Sequence, residues 1–246
     1  MRHIAIAVAL ISAALLISPA SEVSANALPY YRLPWTGDES RLVVQGNNQG
    51  THTGAQTYAW DFDATVNNWL VRAARGGIVV AYVDSHNTGG CGQQFNIYTN
   101  YVKIDTVDGY QSLYAHLQFA SVRNKISVSQ PVVSYTPIGN TDSTGHVCGA
   151  NPDHLHYAVQ NPCSGAFCTS VSSSFLDPDV LRQNADGIPR TNQSVISGNH
   201  AKGTDTPGVW RGGTWWLSNT FGDPATIAFQ FGDPTHKPLV GDWNGQ

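Results

Sequence analysis

The sequence predicts a mainly β fold, a compact antiparallel β-sheet domain followed by a short, truncated β repeat. Glycine (24) and proline (13) are frequent, strong helical periodicity is scarce, and short runs of β-type residues alternate with turn signals. The 246 residues are 41% hydrophobic and only 12% charged, against roughly 25% charged in an average soluble domain. That composition can fill a core and excludes a disordered polyelectrolyte. With 13 Lys+Arg against 17 Asp+Glu, a net charge of −4 and no basic run, the chain lacks the electrostatic footprint of a nucleic-acid binder.

Residues 1–27 read as a signal peptide: Arg2 is followed by an apolar stretch at 4–17 broken only by Ser12, and Ala25-Asn26-Ala27 is a small-x-small cleavage pattern. Fourteen residues (4–17) fall short of the roughly 20 that a spanning helix needs, and no other run comes closer. The mature chain is therefore expected to be secreted or held in the cell envelope, with no membrane span after cleavage. Residues 28–46 carry Pro29, Pro34, Tyr30, Tyr31 and Trp35, an ordered lead-in.

β-type runs follow at 58–62, 77–83, 95–99, 101–105, 111–116, 130–135 and 154–159. Gly89-Gly90, Asp108-Gly109 and Asn140-Thr141-Asp142-Ser143 mark turns between them. Residues 183–207 are polar and rich in Gly, Asn and Thr, as expected of a linker. Residues 208–246 form an incomplete Trp-rich β repeat. Four of the seven tryptophans (Trp210, Trp215, Trp216 and Trp243) lie there, and Phe221-Gly222-Asp223-Pro224 recurs as Phe231-Gly232-Asp233-Pro234.

Export would place Cys91, Cys148, Cys163 and Cys168 in an oxidising space, where four cysteines allow three disulfide connectivities. Cys163 and Cys168 enclose only Ser-Gly-Ala-Phe, a natural local loop, which leaves Cys91 and Cys148 for a long-range clamp. A Cys₄ zinc site is the rival, but the chain has no C-x-x-C pair.

Histidines supply the chemistry. In His154-Leu155-His156, strand alternation puts both imidazoles on one face and Leu155 on the other. Tyr114-Ala115-His116-Leu117 ends another strand. His52-Thr53-Gly54 leads to Trp60-Asp61-Phe62, where a carboxylate between two large aromatics is costly to bury without a cation. Taken singly, each motif has a plain reading as exposed strand histidines, a structural histidine, or a surface strand with Asp61 and Asp63 outward. Together they suggest metal-assisted hydrolysis, because a catalytic zinc takes three His or carboxylate ligands and leaves a position for water. His52, Asp61 and His156 could be those ligands, with His154 and His116 as acid/base groups. The helical H-E-x-x-H signature is absent.

The order His52…Asp61-Phe62, Ala73-Ala74-Arg75-Gly76-Gly77-Ile78-Val79, Asp108-Gly109…Tyr114-Ala115-His116-Leu117, Ile138-Gly139…Ser143-Thr144-Gly145 and His154-Leu155-His156-Tyr157 resembles the lysostaphin-type zinc endopeptidases of bacterial cell walls. It spans most of 46–160. The resemblance implies a zinc peptidase domain at 28–182, with its core at 46–160 and a narrow groove. It implies one Zn²⁺ per chain on His52, Asp61 and His156, His154 as general base and His116 steadying the tetrahedral intermediate, two roles that could be shared. The implied substrate is a peptidoglycan peptide or another extended peptide.

The chain also departs from the pattern. Members usually place the first His four residues before the Asp, whereas His52 and Asp61 are nine apart, so that Gly54-Ala55-Gln56-Thr57 must loop out. Asp63 is an alternative to Asp61. Residues 147–153 are inserted ahead of the H-x-H. Two other readings stay open, a non-catalytic relative acting as a binding or activator module, and a surface- or glycan-binding protein working through its C-terminal repeats. His86, His146, His200 and His236 lie in loops, the linker and the repeat, without a partner at ligand spacing.

Overall fold

The computed structural model describes residues 29–64, 68–149 and 152–200, together with the backbone of three later strands. The expected signal peptide (1–27) and most of the Trp-rich repeat lie outside the described residues.

Eight strands make the main sheet: β1 (Ser40–Gln45), β2 (Trp60–Asp63), β3 (Gly77–Val83), β4 (Tyr101–Thr106), β5 (Gln111–Ala115), β6 (Pro131–Val132), β7 (His154–Gln160) and β8 (Ser194–Ile196). Their order across the sheet is β8-β1-β2-β7-β5-β4-β3-β6. Every neighbouring pair is antiparallel, so the fold is mainly β as the sequence predicts. β7 is central, and its register sets His156 opposite Asp61 on β2 and opposite Ala115 on β5.

The two faces of β7 differ as alternation requires. Leu155, Tyr157 and Val159 enter the large core with Trp35, Trp60, Phe62, Ile104 and Tyr114. The opposite face carries His156 and Ala158, and Ala158 packs in a thin cluster with Ala59, Leu113 and Ala115. Small side chains around His156 leave space above the sheet for imidazoles, while aromatics below it supply the burial. A single large apolar side chain buried there contributes about 1.5–3 kcal/mol.

Three expectations are corrected. The run at 95–99 is a 3₁₀-helix, Gln93–Tyr98, rather than a strand. Ile97 within it is 72% exposed, so the apolar alternation has no surface to pack on and does not hold the chain extended. The run at 130–135 shortens to Pro131–Val132, an edge strand. Part of the stretch read as a linker is built into the sheet: Ser194–Ile196 pairs with β1, and Val195, Ser197 and Asn199 are buried. Its polar composition satisfies the backbone groups of its neighbours, since Asn199 Nδ2 donates to Leu33 O and Ala73 O and Ser197 Oγ to Trp35 O.

These bonds stitch the lead-in to the end of the domain. Tyr31, Leu33 and Trp35 point into the core, and Arg32 Nη1 donates to Leu176 O at 2.7 Å. Asp177, immediately before helix α1 (Pro178–Gln183), accepts from Leu33 N (2.9 Å) and Gly198 N (2.5 Å). Burial pushes its carboxyl up to about 6, against the pull of the Arg32 charge and the two backbone N–H groups. A raised carboxyl means that the folded chain holds this proton better than the unfolded chain. The contribution is therefore full below the ordinary carboxyl range and is lost as pH rises through about 6. The stability advantage of the parent over Asp177→Asn should shrink by up to about 3 kcal/mol between pH ~4 and ~7, as read by urea denaturation. An advantage that does not change with pH counts against this assignment.

Two disulfides, Cys91–Cys148 and Cys163–Cys168, use all four cysteines. The first ties the segment ahead of the H-x-H to the one after Asp84, beside a parallel pairing of Gly89–Gly90 with Gly145–His146. Gly145 has φ 86, and a Cβ there would meet Thr99 Oγ1 at 2.1 Å, so only glycine allows this approach. No helix among the described residues is long and apolar enough to cross a membrane. Near the C-terminus, Gly208–Arg211, Thr214–Leu217 and Ile227–Gln230 form a three-stranded antiparallel sheet.

Candidate metal centre

His52, Asp61 and His156 converge above β2 and β7, with one ligand atom from each within 4.8 Å of the others. Asp61 Oδ1 is the common point, 2.9 Å from His156 Nδ1, 3.2 Å from His52 Nε2 and 3.7 Å from His154 Nε2. The side chains of His52, Asp61 and His156 are buried. Asp63, the alternative carboxylate, pairs in register with His154 and does not join this group.

The outer partners of these rings decide which nitrogens hold protons. His52 Nδ1 faces Gly46 O at 3.0 Å, and a carbonyl oxygen only accepts, so Nδ1 donates and, in the neutral ring, Nε2 keeps a lone pair toward Asp61. Gln56 Nε2 donates to Cys168 O at 2.6 Å and to Ala55 O at 3.3 Å. Its Oε1 therefore faces His156 Nε2 at 3.0 Å. His156 must donate there, and its Nδ1 also presents a lone pair to Asp61. Two imidazole lone pairs and a carboxylate oxygen thus point at one place, an arrangement that repels itself unless a cation sits among them. The donor set fits a divalent metal of the zinc type.

Without an ion a proton fills the same place, because a cationic His52 donates through Nε2 to Asp61. Burial raises the Asp61 carboxyl, but the charge of His154 and the hydrogen bonds of His156 and His52 outweigh it and hold Asp61 well below the usual range. Burial lowers His52, and its bonds to Asp61 and Gly46 more than compensate, so it is raised. Burial dominates at His156, which is lowered despite Asp61.

His154 and His116 flank the cluster, their ring centroids 4.6 Å apart. His154 Nδ1 donates to Pro152 O and His116 Nδ1 to Thr144 O, each at 2.7 Å. Both rings, when neutral, offer Nε2 as a proton acceptor. Burial and the neighbouring His154 and His156 push His116 well down. Strict alternation would send His116 to the face opposite Ala115, yet it stands 5.9 Å (centroid to centroid) from His156. A left-handed backbone at His116 (φ 64) ends β5 one residue short of the expected strand and turns the ring back to the site side. Such a conformation costs on the order of 1–3 kcal/mol and persists where the surroundings impose it. Here Asn100 Nδ2 and Thr144 Oγ1 both donate to Leu117 O, just beyond the turn.

The spacer between His52 and Asp61 is ordered. Gly54–Gln56 is one 3₁₀ turn, entered through Gly54 at φ 56. Gln56 is the site residue that motif reading misses, because nothing in a nine-residue spacing marks it as a partner of a histidine one hundred positions away. Phe167 is a second such residue, its ring 5.6 Å from that of His156. Another group of ligand-type side chains, Cys91, His146 and Cys148, is largely exposed, and its two sulfurs are bonded to each other, which removes them as thiolates.

An antiparallel sheet carrying a His₂Asp cluster with two more imidazoles beside it defines a β protein with a site suited to a hydrolytic metal. Residues 55–167 match the model of peptidase family M23, whose members are typically cell-wall hydrolases, and this supports an M23 peptidase domain in that span. The span holds Asp61, His116, His154 and His156 and begins just after His52. The catalytic domain of the prophage-encoded M23 protein EnpA from Enterococcus faecalis is similar at 18% identity, covering 60% of this chain and 95% of that one, TM-score 0.38. A zinc-containing peptidase from Vibrio cholerae is similar at 24% identity over 52% of this chain and 33% of its own, TM-score 0.32, so the chain spans about a third of that protein. The M23 metalloprotease pseudoalterin, of deep-sea origin, is similar at 15% identity over 82% of this chain and 98% of its own, TM-score 0.40. No curated protein matches the sequence.

Proposed function

We propose that this chain is a secreted zinc metalloendopeptidase that hydrolyses peptide bonds of bacterial cell-wall peptidoglycan. The convergence of the His52, Asp61 and His156 lone pairs on one point, beside two further imidazoles, carries this reading. His52 Nε2, Asp61 Oδ1 and His156 Nδ1 would hold the ion. When bound, zinc supplies Lewis acidity that polarises a peptide carbonyl and acidifies a water.

The remaining work falls to His154 and His116. With each Nδ1 fixed on a carbonyl oxygen, each ring takes up a proton only at Nε2. Two imidazoles with centroids 4.6 Å apart resist becoming cationic together. The pair therefore holds one proton at a time. One ring removes it from the attacking water, and it is then available for the leaving amine. The other ring, left neutral, serves as a hydrogen-bonding neighbour. His154, whose Nε2 is already directed at Asp61 Oδ1, is our choice for the base.

The test is release of new amino groups from purified peptidoglycan by the zinc-loaded chain, with His154→Ala as control. Release by the parent and at least a hundredfold less by the variant is expected. With one zinc bound per chain, no release from either would favour a metal-stabilised binding module. Release in equal amounts would remove His154 from the mechanism.

A further inference from the structure

The spacer that separates His52 from Asp61 carries a side chain with both ends committed. Gln56 Oε1 accepts from His156 Nε2, and Gln56 Nε2 donates to Cys168 O. Cys168 closes the short disulfide loop with Cys163, and that loop is braced from beneath. Lys103, 2% exposed, donates through Nζ to Cys163 O (2.6 Å) and Gly165 O (2.8 Å). Gln160 accepts from Cys168 N at 2.9 Å and donates to Ala166 O at 3.1 Å. It lies on β7, on the same face as His156. The spacer itself docks just beyond the loop, because Ser170 N donates to Ala55 O (2.7 Å) and Tyr58 N to Ser170 Oγ (3.0 Å).

We propose that Gln56 is a positioning residue for His156, that it fixes which imidazole nitrogen faces the metal, and that the Cys163–Cys168 loop is the brace that keeps Gln56 in that pose. This rests on His156 being a metal ligand. A primary carboxamide can turn over and offer either end. Cys168 O accepts only, so it selects the orientation in which Oε1 meets His156. His156 then presents Nδ1, and not Nε2, toward Asp61. Phe167, in the same loop, closes on the ring from the side. The long spacing has a use: it carries an acceptor across to a histidine on another strand. Partners of this kind typically set metal affinity by roughly 10–100-fold.

The experiment compares the full chain with Gln56→Met and Gln56→Glu. Zinc affinity is read by competition with a chelator. The nitrogen that binds is read from nitrogen–cadmium couplings in NMR of the cadmium-loaded chain with labelled histidine. The parent is expected to bind through His156 Nδ1. Gln56→Met, similar in length but with no strong acceptor, should lose about 10–100-fold in affinity and lose the single Nδ1 signature. Gln56→Glu keeps an acceptor and gives up the loop contact, and it should retain Nδ1 binding with an affinity within about tenfold of the parent. If Gln56→Met matches the parent in both readouts, the proposal is overturned. If Gln56→Met does not fold, Gln56→Glu decides: a loss of the Nδ1 signature there overturns it, and retention supports it. A parent that binds no metal through His156 overturns this inference and the peptidase reading together. A parent that binds as described but cuts nothing counts against the peptidase reading alone.

Discussion

Asp61→Asn is expected to abolish zinc binding while leaving the metal-free fold intact. Among the described residues, the carboxylate is the only negative charge at the point where His52 Nε2 and His156 Nδ1 converge, and a metal ion there needs that charge as well as the lone pair. An asparagine amide of the same size removes the charge. It can turn its NH₂ toward the imidazole lone pairs, which relieves the repulsion that the metal would otherwise relieve. In the parent, zinc at about one hundred times its Kd should add about 2.7 kcal/mol of stability, worth roughly 5–10 °C in Tm for a domain of this size. In Asp61→Asn the zinc-dependent shift should vanish, and the metal-free Tm should be no lower than that of the metal-free parent. Calorimetry with and without zinc reads both. A variant that keeps the shift would place the ion elsewhere.

His116→Ala and His154→Ala should have the opposite profile, with zinc retained and turnover lost. Neither ring belongs to the convergent triad, and each is positioned through Nδ1 by a backbone carbonyl, Thr144 O or Pro152 O. Loss of a positioned acid or base typically costs 10²–10⁴-fold, so each single variant should release amino groups at least a hundredfold more slowly. The double variant should be little worse than the poorer single one, because the two rings handle the same proton. Burial and the neighbouring imidazoles hold His116 well down, which keeps its Nε2 unprotonated into mildly acidic solution. If His116 is the base, the acid limb of the rate profile should fall below the ordinary imidazole range of about 6.5. An acid limb that moves in His154→Ala and stays put in His116→Ala would identify His154 as the base. Equal loss of zinc and activity in either variant would make that ring a ligand.

Much of the centre was legible in the sequence because strand geometry is local. A period of two places His154 and His156 on one face whatever the rest of the chain does. The cost of burying Asp61 among aromatics marks it as a residue in need of a partner. The antiparallel sheet is equally local, since short β-type runs broken by Gly and Asp turns have few other ways to satisfy their backbones. The short Cys163–Cys168 loop, too, follows from the spacing of its two cysteines.

Other features depended on partners far away in the chain. His116 reaches the site only because a left-handed residue reverses the alternation, and that strain is held by contacts with Asn100 and Thr144. The run at 95–99 alternates like a strand but has no surface to cover, so it winds into a 3₁₀-helix. Residues 194–196 are a short Ser-Val-Ile run inside a stretch polar enough to pass for a linker, yet β1 offers an open edge to pair with, and Asn199 and Ser197 satisfy carbonyls from the lead-in. Gln56 becomes a partner of His156 only when Cys168 O selects its orientation. The sequence by itself determined the sheet, the facing of the H-x-H pair and the residue types of the centre, because period and burial act within a few residues. Which rings converge, which nitrogens they present and what holds them there were decided by the tertiary structure, because hydrogen bonds to backbone carbonyls leave no mark on residue identity.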